Sequence, residues 1–217
     1  MKLGVFDSGI GGKAVALSLE KNFPAAKIIT VNDSKNVPYG SKTNSEIFSL
    51  THAAIQPLLH LECDIIILAC NTATAVTIEK LRALYPDQKF IGLEPMIKTA
   101  SHMTKSGIIT ICATPATLAS QRYKDLKQKF AADLVVIEPD CSDWAYRIEN
   151  NQINRRFIEQ TIQTARDQNT DCIVLACTHY HWIEDIIRSA AGSDITVIEP
   201  SEAIARRVVQ LLQDKAD

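Results

Sequence analysis

The sequence predicts an α/β fold of two pseudo-symmetric lobes, each a parallel sheet flanked by helices. Two observations carry that prediction. Short aliphatic, β-branched runs alternate with helix-like segments along all 217 residues, the pattern of βα units on parallel sheets. The second half also repeats the first at a nearly fixed offset. Asp64 and Cys70 recur as Asp171 and Cys177, 107 residues later, and Glu94-Pro95 recurs as Glu199-Pro200, 105 residues later. The runs Ile-Ile-Ile-Leu-Ala-Cys70 and Cys-Ile-Val-Leu-Ala-Cys177 share an ending that generic buried strands have no reason to share.

Taken in order, Leu3-Phe6, Lys27-Val31, Asp64-Ala69 and Lys89-Gly92 read as strands, with helical segments near Lys13-Lys21, Thr43-His60 and Ala73-Leu84. The second half reads as strands Gly107-Cys112, Asp133-Glu138, Cys172-Ala176 and Thr196-Ile198, with helices near Thr117-Phe130, Arg155-Gln168 and Trp182-Ala190. The expected division is a first lobe of residues 1–93 plus 201–217, the last helix returning to it, and a second lobe of residues 94–200. Ligands of open α/β sheets bind beyond the carboxyl ends of strands. The active site is therefore expected in the interlobe cleft, where both cysteine-bearing strand ends open.

Composition excludes several classes. With 46% hydrophobic and 22% charged residues and a net charge of −2, the chain is an ordinary globular one with no polyanion-binding bias, so no nucleic-acid partner is expected. No apolar run approaches the roughly 20 residues that span a bilayer, so no membrane partner is expected either. Met1-Lys2 leads straight into a strand without a signal-peptide pattern, and a cytoplasmic location is expected. The six cysteines lie mostly in or at the ends of strand patterns, which favours reduced thiols over three disulfides.

Cys70 and Cys177 each end a buried strand and precede a residue able to cap a helix, Asn71 or Thr72 and Thr178. A thiol there lies near a helix N-terminus, whose dipole favours thiolate. Two such thiols facing one ligand suit removal of a proton from one face of a carbon and its return on the other. The plainer reading is two small buried core residues.

Five motifs then occur in order: Asp7-Ser8-Gly9-Ile10-Gly11-Gly12, Val37-Pro38-Tyr39-Gly40, Cys70-Asn71-Thr72-Ala73, Ala113-Thr114-Pro115-Ala116-Thr117 and Cys177-Thr178-His179-Tyr180. Together they resemble the glutamate racemases of the cofactor-independent aspartate/glutamate racemase superfamily, over nearly the whole chain. The resemblance implies an isomerase that interconverts L- and D-glutamate without pyridoxal phosphate or metal and supplies D-glutamate for peptidoglycan, hence for cell wall and cell shape. It implies Cys70 as the base for the D-enantiomer, assisted by Asp7, and Cys177 as the base for the L-enantiomer, assisted by His179. Glu149, eight residues after Cys141, is implied to orient that histidine or the substrate amine.

Ser8, Asn71, Thr72, Thr114, Thr117 and Thr178 are short donors at strand ends and helix starts, suited to holding two carboxylates. Pro38, Tyr39 and Gly40 are implied to form a substrate wall, and Asp7 and His179 also to touch substrate. Taken singly, Asp7 has a helix cap as its lesser reading, His179 reads equally as a loop histidine, and each of the short donors is more often just a cap or turn residue. His52, His60 and His102 carry no motif and read as surface residues. The glycines of the first motif lack the phosphate-loop spacing and its lysine. Cys177-Thr-His179-Tyr-His181 resembles a metal cluster only loosely, without the usual partner motif, so no metal or cofactor is expected.

The sequence departs from the family at Ser142-Ile148, where Cys-Pro and an apolar stretch are usual, at His181, where the family has proline, at Trp182, where an aliphatic residue is common, and at Lys13. Those changes keep two rivals in view: a racemase of aspartate or of broad specificity, and a dicarboxylate-binding protein that has lost catalysis. The expected partner is glutamate, and a homodimer is compatible with the family.

Overall fold

The all-buried run Ile65-Ile66-Ile67-Leu68 shows how the sheets form. β-branched side chains on both faces need cover on both faces, which a parallel sheet with flanking helices supplies. The structure is a computed structural model and describes residues 1–213. Its chain divides into two compact units, Met1–Leu93 with the described part of Pro200–Asp217, and Glu94–Glu199.

The first unit contains β1 (Lys2–Asp7), α1 (Gly12–Asn22), β2 (Lys27–Asn32), α2 (Asn44–Ala54), α3 (Gln56–His60), β3 (Ile65–Leu68), α4 (Asn71–Leu84) and β4 (Lys89–Gly92). The strands pair in parallel in the order β2-β1-β3-β4, with Leu3 beside Ile65 and Ile65 beside Lys89. Two apolar layers sandwich the sheet. On one face Leu3, Val5, Ile65 and Ile67 pack with Val15 and Leu19 of α1 and with Ile204 and Val208. On the other, Phe6, Ile66 and Leu68 pack with Ile47, Leu58, Ile78 and Leu81.

The second unit contains α5 (Ile97–Met103), β5 (Ile108–Cys112), α6 (Pro115–Ala119), α7 (Gln121–Phe130), β6 (Val135–Ile137), α8 (Trp144–Glu149), α9 (Arg155–Asp167), β7 (Cys172–Leu175), α10 (Glu184–Ala191) and β8 (Thr196–Ile198). Its order, β6-β5-β7-β8, is again parallel and topologically the same as the first. The two parallel sheets flanked by helices are the α/β architecture expected from the alternation. The chain then enters α11 (Ser201–Gln213). The last four residues of the expected 201–217 helix lie outside the described residues.

Several elements differ from expectation for identifiable reasons. The segment expected as one helix from Thr43 to His60 is two, because Pro57 in the first turn of α3 lacks an N–H and forces a new start at Ile55. Thr43 instead caps α2 in a reciprocal box: Glu46 N–H donates to Thr43 Oγ1 at 3.3 Å and Thr43 N–H to Glu46 Oε2 at 2.8 Å. The expected helix from Thr117 also breaks, with Ser120 capping α7 through its hydroxyl. The short helices α5 and α8 were not expected. His52 is half-buried rather than a surface residue, stacked between Phe48 and Tyr85, with Nε2 2.8 Å from the Tyr85 hydroxyl.

Candidate active site: two thiol-centred half-sites

In the first unit the carboxyl ends of the adjacent strands β1 and β3 bring Asp7, Ser8 and Cys70 together. Asp7 is fully buried, and its Oδ2 accepts from the N–H groups of Gly9 at 3.2 Å and Gly12 at 2.9 Å. Those bonds fold the glycine-rich turn around the carboxylate. A Cβ on Gly12 would lie 2.6 Å from that of Asp7, so this position admits only glycine without displacing the acid.

Ser8 Oγ–H donates to Cys70 Sγ at 3.2 Å. Cys70, not Asn71 or Thr72, is the N-cap of α4: its sulfur accepts the Ala73 N–H at 3.4 Å. The cap expected at Asn71 or Thr72 therefore lies one or two residues earlier, since the thiol itself occupies the capping position. Those two residues are buried in the first turn, and Asn71 Oδ1 has no hydrogen-bond partner. A buried polar atom left open is costly, and in a site it is a place for a ligand donor.

The dipole argument for a resting thiolate also needs correction at Cys70. Burial, followed by the nearby Asp7 charge, pushes its pKa up to about 11, against the opposing bonds from Ser8 and the helix backbone. Desolvation outweighs the helix terminus here, and Cys70 rests as a thiol near neutral pH.

Pro38, Tyr39 and Gly40 lie at a single turn, Tyr39–Ser41 being 3₁₀. Tyr39 is a core residue: its ring packs on Phe6 at 6.4 Å, and its hydroxyl donates to Asp33 Oδ2 at 2.7 Å. Burial, then the Asp33 bond, raises its pKa. Pro38 and Gly40 remain half-buried.

In the second unit Cys177 follows β7 and leads into a six-residue 3₁₀ segment, Thr178–Ile183, with no side-chain cap, before α10, which was expected near Trp182-Ala190. Thr178 is thus buried beside the thiol without serving as the expected cap. His179, 4% exposed, is no solvent-facing loop residue. Its Nδ1 lies 3.8 Å from Cys177 Sγ and its Nε2 2.7 Å from Glu149 Oε2 at the end of α8. A ring nitrogen bonded to a carboxylate at that distance carries the proton, leaving Nδ1 to exchange one with the thiol. Thr114 caps α6, and its hydroxyl lies 3.0 Å from that of Thr117. Both are buried at the end of β5, the strand adjacent to β7.

Sequence reasoning missed three supports. Tyr180, fully buried, donates its hydroxyl to the Cys141 carbonyl at 3.2 Å and meets Trp144 edge-on at 5.3 Å. Trp144, buried, fills the core beside the 3₁₀ segment. His181 lies between Glu184 and Glu199. Asp33 anchors Tyr39; its only sequence signal was an acidic residue six before the tyrosine. Among the described residues no group of three or more His, Cys, Asp or Glu side chains is arranged to hold a metal, and no helix is long and apolar enough to cross a membrane.

The chain is similar to known proteins in sequence and in fold. Residues 13–208 match the family model described as Asp/Glu/Hydantoin racemase. A glutamate racemase of Aliarcobacter butzleri is 38% identical over 99% of this chain and 85% of its own. The crystal structure of Escherichia coli glutamate racemase in complex with L-glutamate and the activator UDP-MurNAc-Ala superposes with a TM-score of 0.89 at 25% identity, covering 98% of this chain and 82% of that one. That of the Francisella tularensis glutamate racemase in complex with D-glutamate gives 0.82 at 27%, covering 99% and 82%.

Proposed function

This chain belongs to the Asp/Glu/Hydantoin racemase family, and we propose that it is a racemase of glutamate that works by proton transfer between two cysteines. The observation that carries the reading is the pairing of each thiol with its own polar partner, Ser8 on Cys70 at 3.2 Å and His179 on Cys177 at 3.8 Å, the latter backed by Glu149. Its relatives named for glutamate, and their complexes with both enantiomers, support that substrate over aspartate.

In the L-to-D direction the Cys177 thiolate takes the α-proton. The Cα–H bond breaks, an S–H bond forms, and the electron pair passes into the α-carboxylate as an enediolate. The Cys70 thiol then gives its proton to the opposite face of the same carbon, which leaves Cys70 as thiolate and Cys177 as thiol. The reverse direction runs the same steps backwards. No pyridoxal phosphate or metal enters the scheme, so the enediolate depends on fixed donors in a dry site. Ser8, Asn71, Thr72, Thr114, Thr117 and Thr178 supply short donors for the two carboxylates, with Pro38, Tyr39 and Gly40 as a wall. Asn71 Oδ1, buried and open, suits the substrate ammonium, and the Asp7 carboxylate carries the charge that counters it.

The cysteine beside His179 is the base that can lose a proton to its neighbour. Cys70, held up at about 11, is the resting acid. The product, D-glutamate, serves peptidoglycan and cell shape from the cytoplasm.

The test is circular dichroism and proton NMR of L-glutamate, D-glutamate and L-aspartate with the protein, without added cofactor. The expected result is racemisation of both glutamates well ahead of aspartate. Faster turnover of aspartate, or none of any of the three by folded and reduced protein, would overturn the reading.

A further inference from the structure

The Thr178–Ile183 segment that carries His179 is 3₁₀ for six residues. Such runs are rarely longer than three or four, because their hydrogen bonds are poorly aligned. This one is pinned by three successive polar side chains. His179 reaches Glu149 on α8, Tyr180 reaches the Cys141 carbonyl, and His181 reaches two carboxylates. Residues i and i+2 of a three-residue turn point to different sides, so His179 and His181 anchor different faces.

The His181 ring is nearly buried. Nδ1 lies 3.3 Å from Glu184 Oε2 in the first turn of α10, and Nε2 lies 3.9 Å from Glu199 Oε2. Nε2 has no hydrogen bond of its own, so the ring is set beside the Glu199 carboxylate without a formed bond. Glu184 also accepts from Arg188, Nε at 2.7 Å, and its carboxyl is held below the usual range, first by the His181 bond. Glu199 is the last residue of the second unit before the chain passes to the first at Pro200. His181 thus ties the 3₁₀ segment to α10 through Glu184 and sets it beside Glu199, just after β8.

We propose that His181, bridging Glu184 and Glu199, is a positioning residue that holds the Thr178–Ile183 segment so that His179 stays on Cys177. The proposal deepens the two-thiol reading and rests on it for the catalytic consequence. Loss of the bridge leaves the 3₁₀ segment free to rewind towards α-helix, which turns the His179 ring away from the thiol it serves.

The test uses the full chain as H181Q, E199Q and the double variant. Racemisation of glutamate is measured alongside alkylation of Cys177 by iodoacetamide at fixed pH, followed by peptide mass spectrometry. Cys70, which belongs to the other unit and is bonded to Ser8, serves as the internal control. H181Q is expected to lower kcat about tenfold with KM within about twofold, and to slow Cys177 alkylation about fivefold with Cys70 unchanged. The double variant should be no worse than the more affected single one, as for residues acting through one contact. Unchanged kcat and Cys177 labelling, losses that multiply in the double variant, or parallel changes at Cys70 that signal general unfolding would overturn it. The labelling arm stands whether or not glutamate is the substrate: a wild-type protein that fails to racemise glutamate defeats the function, not the positioning.

Discussion

Cys70 and Cys177 end matching strands in sheets of the same order, yet their surroundings solve the acid–base problem differently. Cys70 is held by a hydroxyl and a helix backbone, with a buried carboxylate nearby that is occupied by two glycine N–H groups. Those partners stabilise a thiolate only weakly against burial and the Asp7 charge, so the sulfur stays protonated. Cys177 has the His179 ring at 3.8 Å, and behind that ring the Glu149 carboxylate at 2.7 Å; in the proposed scheme the imidazole takes up the thiol proton. A repeat that preserves a strand end preserves the position of a thiol but not its hydrogen-bonding environment. That is set by what the loops after the strand bring to it: a cap in one unit and a 3₁₀ segment in the other.

The comparison breaks most sharply if one thiol is dispensable. C70S and C177S should each reduce racemisation by at least about 10³-fold in both directions, since each proton transfer needs its own group; polarimetry from either enantiomer checks this. Next, H179N should cost about 10² in kcat and E149Q about tenfold, because the carboxylate acts only through the ring. Steady-state kinetics that found E149Q the worse of the two would reverse the assigned order.

At the first half-site the effects are smaller and appear in pH. Cys70 should alkylate with a midpoint near the value of about 11 given by its burial, so at pH 8 it labels slowly. S8A removes a bond that favours the thiolate and should move the Cys70 midpoint up, not down. A titration of iodoacetamide rates by mass spectrometry reads both.

The smallest effect concerns the frame that the two units share. Asp171, at the position matching Asp64, accepts from Thr104 Oγ1 at 2.5 Å and from the Lys105 and Ser106 N–H groups at 2.6 and 2.8 Å. Burial works against its ionisation, but these bonds hold its pKa at about 2. A depressed folded value gives stability that is present above the unfolded value of about 3.9 and is lost as pH falls through about 2. After solvent screening of this exposed group, D171N should cost about 1 kcal/mol at pH 7 and much less near pH 2. Urea unfolding at the two pH values checks the sign.

Much of this fold was legible because buried parallel strands are written as unbroken β-branched runs, and because the duplication repeats them. The breaks at Pro57 and Ser120 had their signals in the sequence, a proline and a capping serine, but were read through by helical periodicity. Helix α8 had no such signal: its six residues, Trp144–Glu149, show no full amphipathic repeat, and Trp144 is buried by tertiary packing against Tyr180. The residues around the thiols were legible as motifs, whereas their pairings were not. The contacts of Tyr39 with Phe6 and Asp33 are not written in its motif, and the helix dipole at Cys70 is overruled by desolvation, which depends on the whole fold and not on local spacing.

The central claim is that two groups, one from each half-site, act on one carbon. Its most direct measurement is the early isotopic partition of L-glutamate in deuterated water, read by proton NMR and chiral separation before much conversion. Two bases predict D-glutamate carrying deuterium at the α-carbon while the remaining L-glutamate keeps its proton. Product that retains the substrate's α-proton, or substrate that exchanges as fast as product forms, would contradict the account.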